Sequence, residues 1–446
     1  MRLEVWLGRD CVGWLGHDGG SNRFSFDYAP DWLSREASFP LSPALPFCQP
    51  PGTSADAHSA ATRQFFENLL PEGRALDEAA AAYRVSKANL AGLLAALGKE
   101  TAGALSLRVE GSAVAMTTSE RRHLPREELS ARIRDRAQTP FSVWDGKVRL
   151  SIAGCQDKVA VFEEAAEWYL VEGSTLASTH ILKPEPTNLL LAGLTSNEFF
   201  CMRLAAAVKL PVASVQLHHV PEPVLAITRF DRVIEHGIVR RLPAIDGCQA
   251  LGLPVSFKYE RPYGDSSDVR NIRDGASLPR LFNLINTLAR PAAERRALLR
   301  WAIFQVLIGN TDAHAKNLSF MAGAGGLSLA KTYDLVCGLV FDADRVENTY
   351  AMAIGDAFAP ADVSALEWAT LCLAANLPPA MVRKELEQLA RDTQARLHEV
   401  ADAVSREGAA PAVVEKICKL VDAECQRQLE MARFIPAMAR HERNKQ

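Results

Sequence analysis

An apolar run that leads straight into a short polar segment is the feature that most restricts how this chain can fold. Residues 301–308 read WAIFQVLI, and the polar segment GNTDAHAKN follows at residues 309–317. Residues 318–320 and 327–329 then alternate in polarity on either side of a glycine-rich turn, which predicts a β-hairpin. The order predicts a buried helix that delivers a polar loop to a cleft, and a hairpin that brings Asp334 back beside it.

The polar segment has the residue spacing of a phosphoryl-transfer site. Four residues separate Asp312 from Asn317, and Asp334 follows in the sequence KTYDL. In the kinase catalytic loop H-R-D-x-x-x-x-N, the aspartate accepts the proton of the substrate hydroxyl, and the asparagine and a later aspartate hold magnesium. This set suits the chemistry because catalysis is mostly positioning and neutralisation of phosphate charge. Asp and Asn are also common in loops for structural reasons, which is the alternative interpretation.

Length and charge narrow the class of protein. The 446 residues are enough for two or three hydrophobic cores. The formal net charge of -3 gives no general reason to expect nucleic acid or an anionic membrane as a direct ligand. No apolar run reaches membrane-spanning length, and the first four residues predict a strand rather than a signal peptide. We therefore expect a cytoplasmic protein that does not associate with membranes.

Cysteine usage agrees with a reducing compartment. The nine cysteines include no C-x-x-C pair, and an odd, unpatterned number is typical of cytoplasmic proteins. Cys418 and Cys425 are seven residues apart in a helical pattern, which favours a packed helix face over a metal site.

The N-terminal third combines strands with short helices. Alternating Leu3, Val5 and Leu7 begin a β-rich region of about 50 residues. Helices are expected over residues 61–70, 76–83 and 87–97, with Ser86 as the N-cap of the third. The last two could form a DNA-reading helix-turn-helix, but their few basic residues favour a packing pair. A strand at residues 101–109 and a charged surface helix or linker at 119–136 complete this region.

Two features of the middle region could contact a nucleotide. Residues 147–162 form two strand-like runs around a loop of small residues centred on Gly154. Such a loop lets backbone N–H groups approach a phosphate, although it matches neither G-x-G-x-x-G nor the Walker pattern, and a plain hairpin is the alternative. Lys183 ends an apolar strand, like the phosphate-binding lysine of V-A-I-K in kinases, with a solvated lysine as the alternative. Glu198 is placed like the acid that pairs with that lysine.

The remaining pattern turns from strand to helix. Residues 224–227 are an apolar strand that runs into a short linker, where a two-lobed nucleotide site would hold adenine. We predict an α+β protein with a bilobal kinase-like fold, in which an N-terminal β-rich subdomain precedes a helical C-terminal lobe. Its expected parts are residues 1–118, 119–232 and 233–446. Helices are expected at residues 281–289, 293–308, 365–377, 381–403 and 413–434.

Several short segments together resemble one family, the HipA-type serine/threonine kinases that act as toxins of bacterial toxin–antitoxin pairs. These segments occur in the family's order over nearly the whole chain. They read FFENLLPEG at residues 65–73, LSIAGCQDK at 150–158, ILKPE at 181–185, RFDR at 229–232, CQALG at 248–252 and the polar segment that contains Asp312.

The resemblance implies a role for each candidate residue. Asp312 would be the catalytic base, Asn317 and Asp334 would hold Mg2+, and Lys183 would contact the phosphates of ATP. The stretch before Phe230 would be the hinge that binds adenine. The family commonly has a glutamate where this chain has Thr228, a change that a backbone contact to adenine tolerates. Cys155 replaces the usual alanine of the phosphate loop. The nucleotide contacts implied by the resemblance come from Ser151, Ile152, Ala153, Gly154, Cys155, Gln156, Lys158, Lys183, Thr228, Phe230, His314, Asn317 and Asp334.

The resemblance also implies partners and regulation. The expected partners are a protein substrate, a small HipB-type helix-turn-helix antitoxin, and operator DNA mainly through that antitoxin. Family members target aminoacyl-tRNA synthetases, and the resemblance implies that autophosphorylation of Ser151 silences the enzyme. A small-molecule kinase and a non-catalytic ATP-binding co-repressor are the alternative functions.

Overall fold

The alternating residues at the N terminus pair into a four-stranded antiparallel sheet. In the computed structural model of the chain, the strands are β1 (Arg2–Leu7), β2 (Asp10–Asp18), β3 (Arg23–Tyr28) and β4 (Leu105–Val109), in the order β3-β2-β1-β4. Successive side chains of a strand point to opposite faces, and Leu3 and Val5 are accordingly buried on one face. The predicted N-terminal strands are confirmed.

Short helices follow this sheet: α1 (Pro30–Leu33), α2 (Ala55–Glu67), α3 (Gly73–Tyr83) and α4 (Leu90–Leu97). The prediction that Ser86 caps the last of them is wrong. Asn89 is the N-cap, and its side chain accepts a hydrogen bond from Gly92 N, so the helix begins three residues later than expected. Five of the eight residues of α4 are buried, which supports a packing pair over a DNA-reading helix.

The middle of the chain builds a six-stranded sheet. Its strand order is β11-β12-β10-β8-β9-β5, with α5 (Arg126–Asp135) between β5 and the short hairpin of β6 and β7. The strand β5 falls where we expected only a helix or linker. The strands are β5 (Glu120–His123), β6 (Val143–Trp144), β7 (Lys147–Val148), β8 (Val159–Glu164), β9 (Glu167–Glu172), β10 (His180–Pro184), β11 (Val215–His219) and β12 (Pro223–Thr228).

One face of this sheet carries a continuous apolar core. Its buried side chains come from the strands, including Trp144 of β6, from α5, and from the segment that joins α5 to β6, which contributes Phe141. The strand β10 lies between β12 and β8, so Leu182 pairs with Ala226 on one side and with Val159 on the other. This central position fixes the backbone of Lys183, the next residue.

The C-terminal part is mostly helical. The prediction of a hairpin after the polar loop is confirmed, because β16 and β17 form it, although the final helix α13 was not expected. The helix α6 (Leu194–Ala207) lies between β10 and β11 in the chain. The elements that follow β12 are β13 (Arg232–Glu235), β14 (Ile238–Arg241), β15 (Ala244–Asp246), α7 (Gly247–Leu251), α8 (Leu278–Ile285), α9 (Pro291–Leu307), β16 (Ser319–Gly323), β17 (Gly326–Leu329), α10 (Ala365–Ala374), α11 (Pro379–Arg406), α12 (Pro411–Ala432) and α13 (Ile435–Arg443).

The chain forms two compact units that are discontinuous in sequence. Unit 1 comprises Met1–Pro184, His218–Val255 and Phe320–Leu327, and unit 2 comprises the rest. The α+β class is confirmed, as is the order of a β-rich part followed by a helical part.

Cys418 and Cys425 are both buried on α12, as the packed-face interpretation predicts. Across the described sequence, no helix combines the length and apolarity needed to span a bilayer. The structure describes residues 1–99, 101–112, 119–149, 156–173, 176–288, 290–343 and 345–445.

Candidate active site

The buried helix α9 delivers the polar loop, as predicted. Its last turns are buried on all sides from Trp301 to Leu307, and a helix with no polar face is a core helix. The chain leaves it at Gly309, which adopts a φ of +63°. A side chain at this position would be strained, and a Cβ there would also lie 2.6 Å from Leu339 Cδ1. The sharp exit brings the loop out of the core within two residues.

Hydrogen bonds then fix the backbone of Asp312 from both sides. The Asn310 side chain donates to Gln305 Oε1 at 2.8 Å and accepts from the Asp312 backbone N–H at 3.0 Å. On the other side, the carbonyl oxygen of Asp312 accepts from the His314 backbone N–H and from Asn317 Nδ2, both at 2.8 Å. The residue is therefore held by the end of the helix and by the loop that follows it.

The side chain of Asp312 stands out from this buried framework. It is 56% exposed, although Asn310, His314 and Asn317 are all buried. The hydroxyl of Tyr259 donates to Asp312 Oδ1 at 3.0 Å, and His314 Nε2 lies 3.9 Å from the same oxygen. A fixed backbone with an accessible carboxylate is the arrangement that a general base requires.

His314 is uncharged at neutral pH. Burial, followed by the nearby positive charge of Lys258, lowers the pKa of His314 to about 3, against a smaller opposing effect of Asp334. The imidazole can therefore offer a hydrogen bond to a ligand, but it cannot supply a positive charge to neutralise phosphate.

The segment that carries Asp334 is tied to the same loop. The Tyr333 hydroxyl donates to the Lys316 carbonyl oxygen at 2.8 Å and lies 2.7 Å from Ser319 Oγ. Asp334 itself adopts a φ of +57°, a left-handed conformation that non-glycine residues seldom adopt and that clusters at functional sites. The expected approach of this segment to the loop is confirmed.

The residues present fit a magnesium ion. Asn317 uses its amide nitrogen on the Asp312 carbonyl, which leaves the amide oxygen as the atom able to coordinate a cation. The Asp334 carboxylate also offers oxygen atoms, which are the donors that Mg2+ prefers. Within the part of the chain that the structure describes, no three His, Cys, Asp or Glu residues cluster into a complete protein metal site. Such a pair is enough for Mg2+, because its other ligands are usually water and substrate phosphates.

The other nucleotide-binding candidates lie in unit 1. Lys183 is buried at the end of β10, which rules out the alternative of a solvated strand-end lysine. Lys158 is also buried, Gln156 and Phe230 are half-buried, and Thr228 is exposed with its hydroxyl 3.1 Å from His180 Nε2. Ser151, Ile152, Ala153, Gly154 and Cys155 lie outside the described residues. Glu198, the expected partner of Lys183, is buried in α6 of unit 2.

Sequence reasoning missed the structural role of the RFDR segment. Arg229 donates two hydrogen bonds to the Asp231 carboxylate, at 2.9 and 2.8 Å, and Arg232 lies 2.9 Å from it. The same carboxylate accepts from Gly103 N at 2.8 Å, and Arg232 donates to Gly103 O at 2.9 Å. We call the group of Gly103, Arg229, Asp231 and Arg232 the Asp231 clamp. Arg241 also belongs to the clamp, because it donates to the carbonyl oxygens of Thr101 and Leu105 in the same turn as Gly103.

No local signal could have identified the contact between Gly103 and Asp231 or the contact between Tyr259 and Asp312. Residues 103 and 231 are 128 positions apart, and residues 259 and 312 are 53 apart. Each of these two pairs is brought together only by the fold.

Two protein-family models match most of this chain. Residues 3–108 match the HipA N-terminal domain, and residues 150–397 match the HipA-like C-terminal domain. The chain is 38% identical over 404 residues to the serine/threonine-protein kinase toxin HipA of Shewanella oneidensis, which covers 90% of this chain and 89% of that protein. It is 34% identical over 412 residues to the Sinorhizobium fredii protein Y4mE, with 91% of each chain covered.

A solved structure matches almost the whole chain. It contains the Shewanella oneidensis MR-1 toxin–antitoxin system HipA, HipB and its operator DNA. The match has a TM-score of 0.85 at 35% identity and covers 98% of this chain and 99% of that one. The sequence resemblance is confirmed, since two family domains and an extended match in sequence and structure agree: this chain belongs to the HipA family.

Proposed function

We propose that this chain is a protein serine/threonine kinase that uses ATP and Mg2+ and acts as the toxin of a type II toxin–antitoxin pair. The observation that carries the proposal is the exposed Asp312 carboxylate on a backbone held at both ends by Asn310 and Asn317. Such a group can reach a substrate hydroxyl without being free to move, which suits a reaction whose catalysis is mainly positioning.

In this mechanism Asp312 accepts the proton of a serine or threonine hydroxyl as the oxygen of that hydroxyl is phosphorylated. Asn317 and Asp334 would hold the metal through oxygen atoms. When bound, Mg2+–ATP would supply the γ-phosphoryl group and leave as ADP, and the metal would neutralise phosphate charge. His314 is neutral at neutral pH in the protein alone, so the proposed sources of positive charge toward the phosphates are Lys158, Lys183 and the metal.

The nucleotide contacts are part of the proposal. Lys183 and the segment from Ser151 to Lys158 would contact the phosphates, and the stretch between Thr228 and Phe230 would hold adenine through its backbone. Phosphorylation of Ser151 would place about −1.5 to −2 charges in the phosphate loop and repel ATP, so we propose that autophosphorylation silences the enzyme.

The partners follow from the relative in Shewanella oneidensis, whose structure contains HipB and operator DNA. We propose a HipB-type antitoxin for this chain, and contact with operator DNA mainly through that antitoxin, because the net charge of -3 offers no general attraction to DNA. The proposed substrate is a cytoplasmic protein of translation, such as an aminoacyl-tRNA synthetase.

The test is incubation of the purified protein with labelled ATP, Mg2+ and whole-cell lysate, beside the Asp312→Asn variant. Label in protein bands that requires Asp312 supports the proposal. Label in a small molecule would replace it with a small-molecule kinase. Absence of any transfer, with ATP still bound, would replace it with a non-catalytic co-repressor.

A further inference from the structure

Tyr259 contacts the proposed base directly. Its hydroxyl donates to Asp312 Oδ1 at 3.0 Å, and its ring meets the His314 ring edge to face with centroids 5.1 Å apart. Tyr259 is 37% exposed, so the contact forms at the accessible side of Asp312. A tyrosine hydroxyl that donates to a carboxylate makes a charge-assisted hydrogen bond, which is stronger than a neutral one.

The backbone on either side of Tyr259 is held in place independently of this contact. The Lys258 carbonyl accepts from the Ala315 N–H at 3.1 Å, within the loop that carries Asp312. On the other side, the Glu260 N–H donates to the Ala351 carbonyl at 2.9 Å. The segment is thus bound by its main chain to the loop that carries Asp312, which places the Tyr259 side chain beside Asp312.

The buried carboxylate of Glu260 adds a second attachment. It accepts from the Ala353 N–H at 2.8 Å and from Arg273 Nε at 2.6 Å. Gly275 packs against the same segment so closely that a Cβ would lie 1.8 Å from the Tyr259 carbonyl oxygen. Because such contacts restrict Tyr259 before any substrate arrives, its hydroxyl is preorganised.

We propose that Tyr259 is a positioning residue that orients the Asp312 carboxylate for phosphoryl transfer. This inference rests on the proposed kinase function. The terminal torsion of an aspartate side chain is broad, and more than half of the Asp312 side chain is exposed, so packing alone does not fix its rotation. A hydrogen bond from the Tyr259 hydroxyl to Oδ1 restricts this rotation, and the tyrosine keeps its own proton when Asp312 accepts the proton of the substrate.

The experiment compares Tyr259→Phe with Tyr263→Phe in the full-length protein. The first variant keeps the ring that packs on His314 and loses only the hydroxyl. The second removes a hydroxyl from a tyrosine of the same segment that is 55% exposed and packs on Phe257. Steady-state kinetics of ATP-dependent phosphorylation separate kcat from KM, and thermal melting checks that both variants fold.

We expect Tyr259→Phe to lower kcat roughly 10- to 100-fold, the effect of losing a hydrogen bond to a charged group. KM for ATP should stay unchanged, and Tyr263→Phe should behave like the wild type. In an Asp312→Asn background, Tyr259→Phe should cause no additional loss, because the two groups act as one unit.

Two results would overturn the inference while leaving the proposed function intact. One is a Tyr259→Phe variant with wild-type kcat, and the other is an equal loss of kcat on both the wild-type and Asp312→Asn backgrounds. If the wild-type protein transfers no phosphate at all, the proposed function itself fails, so the two failures are distinguishable.

Discussion

The side-chain oxygen of Asn310 accepts a hydrogen bond from the backbone N–H of Asp312 at 3.0 Å. Asn310 is almost completely buried and is tied to Gln305 in the last turn of α9. The position of the exposed carboxylate is therefore set by a buried amide two residues away. Removing either partner of such a buried pair leaves a polar group without a hydrogen bond, which costs more than the net value of the bond.

We predict that Asn310→Ala lowers the free energy of unfolding by about 1–3 kcal/mol, because the Gln305 oxygen and the Asp312 N–H lose their partner. It should also lower kcat, since Asp312 is no longer held. Denaturant unfolding measures the first effect. Gln394→Ala, which removes a solvent-exposed hydrogen bond to Asp422 from the half-buried Gln394 of α11, is the control and should stay within about 0.5 kcal/mol of the wild type. Equal stability of the two variants would refute the role of Asn310.

Asp312→Asn should lower the rate of phosphoryl transfer ~10²–10⁴-fold, the usual contribution of a general base. The fold should be unchanged because the side chain is exposed, and toxicity on overexpression should vanish. Asp362→Asn, which changes another exposed acid of unit 2, is the matched control. A variant that melts normally and still transfers phosphate near the wild-type rate would remove Asp312 from the mechanism.

Two substitutions at Asp334 separate the loss of the metal-binding carboxylate from the effect of backbone strain. Asn tolerates the left-handed conformation that Asp334 adopts, whereas Ala is strained there. We expect both Asp334→Asn and Asp334→Ala to weaken nucleotide binding in Mg2+ far more than in EDTA, and only the Ala variant to lose stability from strain. Calorimetric titration of nucleotide with and without Mg2+ measures this. Wild-type affinity that is the same in Mg2+ and EDTA would contradict the site.

The Asp231 clamp predicts an acid-dependent loss of stability. Burial alone would raise the pKa of the Asp231 carboxyl, but Arg229, Arg232 and the bond from Gly103 hold that pKa well below its usual range. A carboxylate with a depressed folded-state pKa stabilises the fold above its unfolded pKa of about 3.9, and this stability is lost as pH falls below that value.

Asp231→Asn should therefore lower the free energy of unfolding by about 3–5 kcal/mol at neutral pH, since it breaks a buried ion pair. The difference between the wild type and the variant should shrink as pH falls below about 4. Denaturant unfolding between pH 7 and pH 3 measures both effects. A difference that stays constant over that range would mean that the carboxylate charge is not what stabilises the clamp.

Periodic features of the sequence predicted much of the fold. The alternation at Leu3, Val5 and Leu7 identified a strand in which Leu3 and Val5 are buried and Leu7 is half-buried. The apolar run before Gly309 identified a helix whose last turns are buried. The start of a helix was harder to predict where two nearby residues can both act as its N-cap. Ser86 and Asn89 are such a pair, and tertiary packing decides that Asn89 caps α4.

The candidate site also contains residues that a local motif identified and residues that only the fold brings to it. Asp312 and Asn317 are close in sequence, so a loop motif was enough to find them. Tyr259 and Glu260 reach the site only because main-chain bonds bring a distant segment to Ala315 and Ala351. Hydrogen bonds of this kind carry no side-chain signature, because any residue can supply the N–H and the carbonyl.

The Asp231 clamp has a practical consequence for anyone who divides this protein into parts. A cut between residues 112 and 119 would follow the gap between the two family domains, yet it would separate Gly103 from Asp231 and Arg232 and leave buried charges facing water or one another. The N-terminal strands are thus no detachable module, and a shortened version that lacks them should be made with the clamp residues replaced as well.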